Sequence, residues 1–228
     1  MKIINDIVDF LYPRVCIVSE NNLPEDNSNR FVLDDTLANL EKVTKSQLNE
    51  LRGKVKSDFA FTLYDFAQKS DFEKIIHHLK YSGMKDLGVF LGQHLAGYVK
   101  LEIDEQKVSY DYIIPVPLHK TKVRERGYNQ SEYLVKGMSG QLQIPLQFDY
   151  IKRHRYTKSQ TKLTLLEREK NMCDAFTLNR NFEVELKDKN IILLDDVITT
   201  GATVNECIKI LREAGVNKIF AVSLAMAE

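Results

Sequence analysis

The sequence is 228 residues long with 43% hydrophobic and 28% charged residues, which excludes a disordered or fibrous chain and suits one substantial globular core. Basic and acidic residues balance at 32 each, for a formal net charge of zero, so any nucleic-acid contact must rest on a local basic patch. Three widely spaced cysteines, Cys16, Cys173 and Cys207, argue against a disulfide framework and for a cytoplasmic protein, and no apolar run approaches a membrane span.

The chain opens with Ile3, Ile4, Ile7, Val8 and Leu11, interrupted by Asp6 and Asp9. This reads as a short amphipathic helix rather than a signal peptide. Pro13 to Ser19 and a polar stretch from Glu20 to Arg30 have loop composition. A helical rhythm resumes from Asp35 to Leu51 through Leu37, Leu40, Val43 and Leu48. Residues 1–56 are thus expected to form a small N-terminal accessory region, and residues 57–228 the main domain.

Phe59 to Leu63 is aromatic and apolar and predicts a strand. Ser70-Asp71-Phe72-Glu73 has the capping-box pattern and starts a helix with Phe72, Ile75, Ile76 and Leu79 on one face. Gly83 interrupts it, and a second helical run carries Leu87, Phe90, Leu91 and Leu95. Tyr110 to Val116 predicts a strand ending in the rigid Pro115-Val116-Pro117. A basic loop from His119 to Gln130 then leads into a helix with Leu134, Val135 and Met138. Its Asn129-Gln130-Ser131 sequon is a chance match in a cytoplasmic protein.

A strand is expected near Leu146 to Ile151, followed by a second basic stretch from Lys152 to Arg155 that runs on to Lys162. A polar helical segment, Thr164 to Asn171, and a hairpin or short strands around Phe176 to Val184 come next. Ile191 to Leu194 has the look of a buried parallel strand. The helix after it carries Val204, Cys207, Ile208 and Leu211 and stops at Gly215, before a last strand from Lys218 to Leu224. Strands alternating with helices predict an α/β fold with a largely parallel central sheet flanked by helices. Ligands in such sheets bind at the carboxyl ends of strands. The loops after Val116, Ile151 and Val197 all sit at such ends, which points to a single site.

The chemistry concentrates between Asn190 and Thr203. Two adjacent acids at a strand end, Asp195 and Asp196, are by themselves often a solvated turn. Here Thr199-Thr200-Gly201-Ala202-Thr203 and a helix N-terminus follow them. Free N–H groups there favour an anion, the hydroxyls add donors, and Gly201 lets backbone approach a phosphate. The carboxylates can accept from sugar hydroxyls or hold Mg²⁺. Neither a Walker loop nor a Gly-x-Gly-x-x-Gly fingerprint is present.

The stretch from Ile191 to Thr203 resembles the phosphoribosyl-pyrophosphate (PRPP) signature of type I phosphoribosyltransferases. Pro115-Val116-Pro117-Leu118-His119 and Arg124-Glu125-Arg126-Gly127-Tyr128-Asn129-Gln130-Ser131 closely resemble the ComF competence-protein family. So do Leu79-Lys80-Tyr81-x-Gly83, Gln160-Thr161-x-Leu163 and Glu167-Arg168-x-x-Asn171. The resemblance covers about Phe59 to the C-terminus. It implies a type I phosphoribosyltransferase fold and a Mg²⁺-dependent enzyme that transfers phosphoribosyl from PRPP to an unidentified acceptor, with release of pyrophosphate.

Residue by residue, the resemblance implies that Asp195 and Asp196 hold the ribose hydroxyls with Mg²⁺ nearby, directly or through its waters. Thr199, Thr200, Gly201, Ala202 and Thr203 would cradle the 5′-phosphate. Val116, Pro117, Leu118, His119 and Lys120 would face the pyrophosphate, with Arg124 and Arg126 as further phosphate partners. Arg153, Arg155, Lys158, Gln160 and Lys162 would form a hood over the site. The same basic stretch, beside Tyr150 and Tyr156, also has the makeup of a single-stranded-DNA surface, so a non-catalytic role in the DNA-uptake machinery is the alternative. Self-association into a homo-oligomer is left open by the sequence.

The departure from the family lies at the N-terminus. Relatives commonly carry a four-cysteine zinc ribbon there, whereas this chain has Cys16, then Ser19 in place of the second ligand, and no second pair from Val32 to Thr36. One thiolate cannot close a tetrahedral zinc site, so no zinc is expected. His77-His78, Cys173 and Cys207 are read as packing residues.

Overall fold

The computed structural model describes residues 14–66, 70–154 and 175–227. An irregular stretch through Cys16 and Phe31 leads to α1 (Asp34–Ala38) and α2 (Lys45–Lys54). The helical rhythm expected from Asp35 to Leu51 is therefore broken in two. The cause is backbone pairing with β1 (Phe59–Asp65): Val43 N–H donates to the Leu63 carbonyl at 3.1 Å, and Asp65 N–H to the Glu41 carbonyl at 3.1 Å. Groups committed to a strand cannot also close helical turns. Helix α2 restarts at a capping box, in which Gln47 N–H donates to the Thr44 hydroxyl while Thr44 N–H donates to Gln47 Oε1.

Helix α3 (Asp71–Tyr81) begins where Ser70 accepts from Glu73 N–H, and it buries the expected face of Phe72, Ile75, Ile76 and Leu79. After the break at Gly83 comes the long α4 (Lys85–Gln106), then β2 (Tyr112–Pro115). The stretch expected as a basic loop contains a short helix, α5 (Lys120–Arg126). None of its residues is buried, so no apolar periodicity could signal it. Helix α6 (Gln130–Leu142) follows and packs closely on α4. A Cβ on Gly92 would lie 2.0 Å from the Leu134 carbonyl oxygen, and one on Gly137 would lie 2.0 Å from that of Val89.

The strand expected near Leu146 to Ile151 reduces to an isolated parallel bridge of Leu146 to Ile113, with β3 (Ile151–Arg153) starting at its far end. β3 pairs antiparallel with β4 (Phe176–Leu178). A 3-10 turn (Arg180–Phe182) and a single helical turn α7 (Glu183–Leu186) occupy the rest of the expected hairpin. β5 (Asn190–Ile198) runs on through the two acids rather than ending before them. α8 (Ala202–Glu213) and β6 (Lys218–Met226) complete the chain. The expected helices at Ile3 to Leu11 and Thr164 to Asn171 lie outside the described residues.

The main sheet has the order β1-β6-β5-β2 with every neighbouring pair parallel, as the α/β reading requires. Its strands are apolar on both faces. Ile192, Leu194, Phe220 and Val222 join the core under α3, α4 and α6, while Ile191, Leu193, Ile219 and Ala221 join the core under α8. N-terminal residues share both cores: Cys16, Val18, Phe31 and Val32 enter the first, Leu51 and Val55 the second. Among the described residues no helix is long and apolar enough to cross a membrane.

Candidate functional site

Three elements meet at the acid pair. On β5, Asp195 Oδ1 accepts from the Ser131 hydroxyl of α6 at 3.1 Å and from Asp196 N–H at 2.9 Å. Asp196 Oδ1 accepts from Val197 N–H at 2.8 Å. Asp196 Oδ2 is buried and accepts no hydrogen bond, yet it lies 3.1 Å from the Lys80 ammonium at the end of α3. The contact is an ion pair off the hydrogen-bonding direction, with the side chains 20% and 14% exposed. Burial first, and the adjacent Asp196 charge second, raise the pKa of Asp195 well above the carboxylate range. Lys80 and Ser131 pull it back only in part. Two hard oxygen donors, one of them buried and without a hydrogen bond, fit Mg²⁺, a Mg²⁺-bound water or a sugar hydroxyl.

The candidate phosphate loop begins one residue after β5. Gly201 has φ +75°, and a Cβ there would lie 3.2 Å from the Lys54 carbonyl oxygen. Only glycine takes that conformation at little cost. Gly201 is also the N-cap of α8 and provides no side-chain cap, so the first-turn N–H groups beyond Ala202 keep their capacity for an anion. Thr199 is exposed, while Thr200, Ala202 and Thr203 are half-buried. The Thr200 hydroxyl accepts from Ala202 N–H at 3.4 Å. Behind the loop, Asn205 Nδ2 donates to the Lys54 carbonyl at 2.9 Å and Lys56 N–H donates to Asn205 Oδ1 at 2.8 Å.

The turn after β2 lies alongside. Val116 N–H donates to the Leu194 carbonyl at 2.8 Å, which fixes Val116 against the residue before Asp195. Asn129 Nδ2 donates to the Val116 carbonyl at 3.1 Å and is buried, so the sequon has a structural use. Pro117 and Leu118 are half-buried, and Lys120 is exposed. His119 Nδ1 accepts from Thr121 N–H at 3.1 Å and so caps α5. Arg124 is exposed, whereas Arg126 donates to Gln130 Oε1 at 2.8 Å and lies 5.5 Å from the Tyr81 ring centroid.

Of the expected hood, Arg153 is described; Arg155, Lys158, Gln160 and Lys162 lie outside the described residues. Arg153 is half-buried, 5.2 Å from the Phe176 ring centroid, with Lys152 and His154 exposed beside it. Burial lowers its pKa, and the Asp195 charge counters that shift in part, so the guanidinium is within electrostatic reach of Asp195. Cys207 is buried in α8, and burial pushes its thiol far above the ordinary range. At the N-terminus, burial would raise the Cys16 thiol, but hydrogen bonds with Ser19 and nearby backbone groups outweigh it and hold the thiol low. Cys173 lies outside the described residues.

Three residues that the motifs did not single out as site residues belong here: Lys80, Ser131 and Asn205. Lys80 and Ser131 sit inside family-like segments, which was a usable signal. Asn205 had none beyond being polar in the first turn of a phosphate-loop helix.

A family model described as a phosphoribosyl transferase domain matches residues 129–227. The chain is 41% identical over 117 residues to competence protein F of Haemophilus influenzae, covering 50% of this chain and 50% of that protein. It is 30% identical over 159 residues to the DNA utilization protein YhgH of Escherichia coli, covering 68% of this chain and 66% of that protein. The chain thus spans about half to two thirds of the length of these curated relatives. Among solved structures, the glutamine PRPP amidotransferase of B. subtilis aligns at 20% identity and a TM-score of 0.41, over 64% of this chain and 30% of that one. With the domain model running through the acid pair and its loop, and relatives named as competence proteins beside it, the chain belongs to the ComF family, with a type I phosphoribosyltransferase fold.

Proposed function

We propose that this chain binds PRPP with Mg²⁺ and transfers the phosphoribosyl group to an acceptor, releasing pyrophosphate. The observation that carries the reading is the 2.8 Å hydrogen bond from Val116 N–H to the Leu194 carbonyl. It sets the turn read as the pyrophosphate loop directly beside the acids read as ribose ligands. Asp195 and Asp196 then accept from the ribose hydroxyls, and Thr199 to Thr203 with the first turn of α8 donate to the 5′-phosphate. Val116 to Lys120, with Arg124 and Arg126, face the pyrophosphate. The C1′–oxygen bond breaks with positive charge developing on the sugar, which the nearby carboxylates favour. When bound, Mg²⁺ would neutralise the leaving pyrophosphate. Arg153 adds a further cation on the side of Asp195.

Calorimetric titration of PRPP with Mg²⁺ tests this. Saturable binding is expected, and Asp195→Asn with Asp196→Asn should abolish it; binding that survives the double substitution would refute the assignment.

A second reading, a single-stranded-DNA-handling component of DNA uptake, is favoured by the exposed Lys152 and His154 on β3 and its margin and by the relatives' competence and DNA-utilization names. A salt-dependent gel-shift assay comparing the wild type with Lys152→Ala/Arg155→Ala separates it. Reduced affinity with a shallower salt slope supports it, and unchanged affinity removes it.

A further inference from the structure

Lys80 enters the site from outside the sheet, and its placement is enforced on both sides. It lies in the last turn of α3, where the Tyr128 hydroxyl donates to the carbonyl of the preceding residue, Leu79. The following residue, Tyr81, lies under the Arg126 guanidinium at 5.5 Å. Tyr128 and Arg126 belong to the segment that also brings Ser131 to Asp195. The turn bearing Lys80 is thus tied to the same scaffold as the acid pair, and its ammonium meets the one Asp196 oxygen that accepts no hydrogen bond.

We infer that Lys80 is a built-in counter-ion that keeps the Asp195–Asp196 pair closed to a bare divalent cation, so that metal enters with its diphosphate ligand rather than ahead of it. This rests on the reading of the pair as the metal and ribose site.

The physical argument is a competition for one oxygen. Two adjacent carboxylates at a partly buried strand end attract any cation, and the ammonium 3.1 Å away already supplies one charge. A divalent ion arriving alone brings no acceptor for the ammonium it displaces, or else shares the pair with a like charge. An ion arriving on a diphosphate brings oxygens that can take the displaced ammonium, because phosphate oxygens are good acceptors for lysine. Lys80 then moves from holding Asp196 to holding the leaving group. It is a positioning residue in the unliganded state.

Mn²⁺ alone is the probe, followed by calorimetry or by its electron paramagnetic resonance signal. Wild type should bind it weakly, Lys80→Met at least tenfold more tightly, and Lys80→Arg as weakly as wild type. The gain in Lys80→Met should vanish when Asp196→Asn is added. Equal Mn²⁺ affinity in wild type and Lys80→Met overturns the inference, as does a gain that survives Asp196→Asn. Lys80→Gln makes the same comparison if Lys80→Met does not fold. PRPP titration into wild type runs alongside. PRPP binding without the Mn²⁺ gain removes the counter-ion role and leaves the phosphoribosyl reading intact. The Mn²⁺ gain without PRPP binding does the reverse.

Discussion

Asn205, in the first turn of α8, donates from Nδ2 to the Lys54 carbonyl at 2.9 Å, although the two residues come from opposite ends of the chain. The same side chain accepts from Lys56 N–H at 2.8 Å, so one amide holds the segment leaving α2 against the back of the candidate phosphate loop. The N-terminal region is thereby part of the frame of the site. The contact also satisfies a carbonyl at the C-terminus of α2, one that helix geometry leaves without an intrahelical partner.

Asn205→Ala removes both bonds at once. The expected loss is about 1–3 kcal/mol of stability, from two hydrogen bonds, one part-buried and one exposed. PRPP affinity should also fall, because the loop loses its backing. Urea denaturation measures the first effect and calorimetry the second. Gly201→Ala should share the second effect more strongly, since its Cβ would lie 3.2 Å from the Lys54 carbonyl oxygen at φ +75°. The conformational cost alone is about 1–2 kcal/mol.

Asp195 makes stability depend on pH with a definite sign. Burial and the Asp196 charge keep its carboxyl protonated to higher pH in the folded chain than in the unfolded one. The folded state therefore binds the extra proton, and stability falls as pH rises from the unfolded value of about 4 through the raised folded value. Asp195→Asn removes that titration. The unliganded variant should melt above wild type at pH 8, with the difference shrinking toward pH 4, and it should lose PRPP binding. Melting curves across that range, without ligand, check the sign.

These relationships explain what could be read from the sequence and what could not. The parallel strands were legible because Ile191 to Leu194 and Lys218 to Leu224 are apolar on both faces. Helix α3 was legible because Ser70 and Glu73 mark its start. Helix α5 was not, because it buries nothing and its residues read as a charged loop. The split between α1 and α2 was hidden because it follows from pairing of residues 41–43 with β1, a tertiary event with no local signature. In the candidate site, Asp195, Asp196 and Gly201 stand in a contiguous motif. Lys80 and Ser131 reach it from two other segments through single long-range contacts, and Asn205 backs the loop through two bonds to residues 54 and 56, none of which composition and periodicity encode.

At the opposite end of the sheet, Asp58 gathers the Ile219 N–H at 2.8 Å, the Arg212 guanidinium and the Lys218 ammonium at 3.4 Å. Burial alone would raise its pKa, but the Ile219 and Arg212 hydrogen bonds and the Arg212 charge outweigh burial and hold it below the usual value. The stabilisation is then complete above the unfolded value of about 4 and is lost as pH falls through the lower folded value. Asp58→Asn should cost about 1.5–3 kcal/mol at pH 7, the range for hydrogen bonds to a charged group. The gap between variant and wild type should close at pH 2 to 3. Urea midpoints at the two pH values test both statements.

The packing of α4 on α6 gives the sharpest contrast between two substitutions of one kind in one helix. A Cβ on Gly137 would lie 2.0 Å from the Val89 carbonyl oxygen and 2.8 Å from Gln93 N, and both are backbone atoms of α4. Neither can move without shifting that helix, so Gly137→Ala must push α6 away, at a cost of about 3 kcal/mol or more. A Cβ on Gly140, one turn further along, would meet nothing within 4 Å. Gly140→Ala should therefore gain about 0.5–1 kcal/mol, because alanine loses less backbone freedom than glycine in a helix. The two should also differ in ligand binding. α6 presents Ser131 to Asp195 at 3.1 Å, so displacing the helix loosens the acid pair, while Gly140→Ala leaves it in place. Thermal melts and PRPP titrations of the two variants decide the matter, and equal behaviour would mean that the close approach of α4 and α6 does not hold in solution.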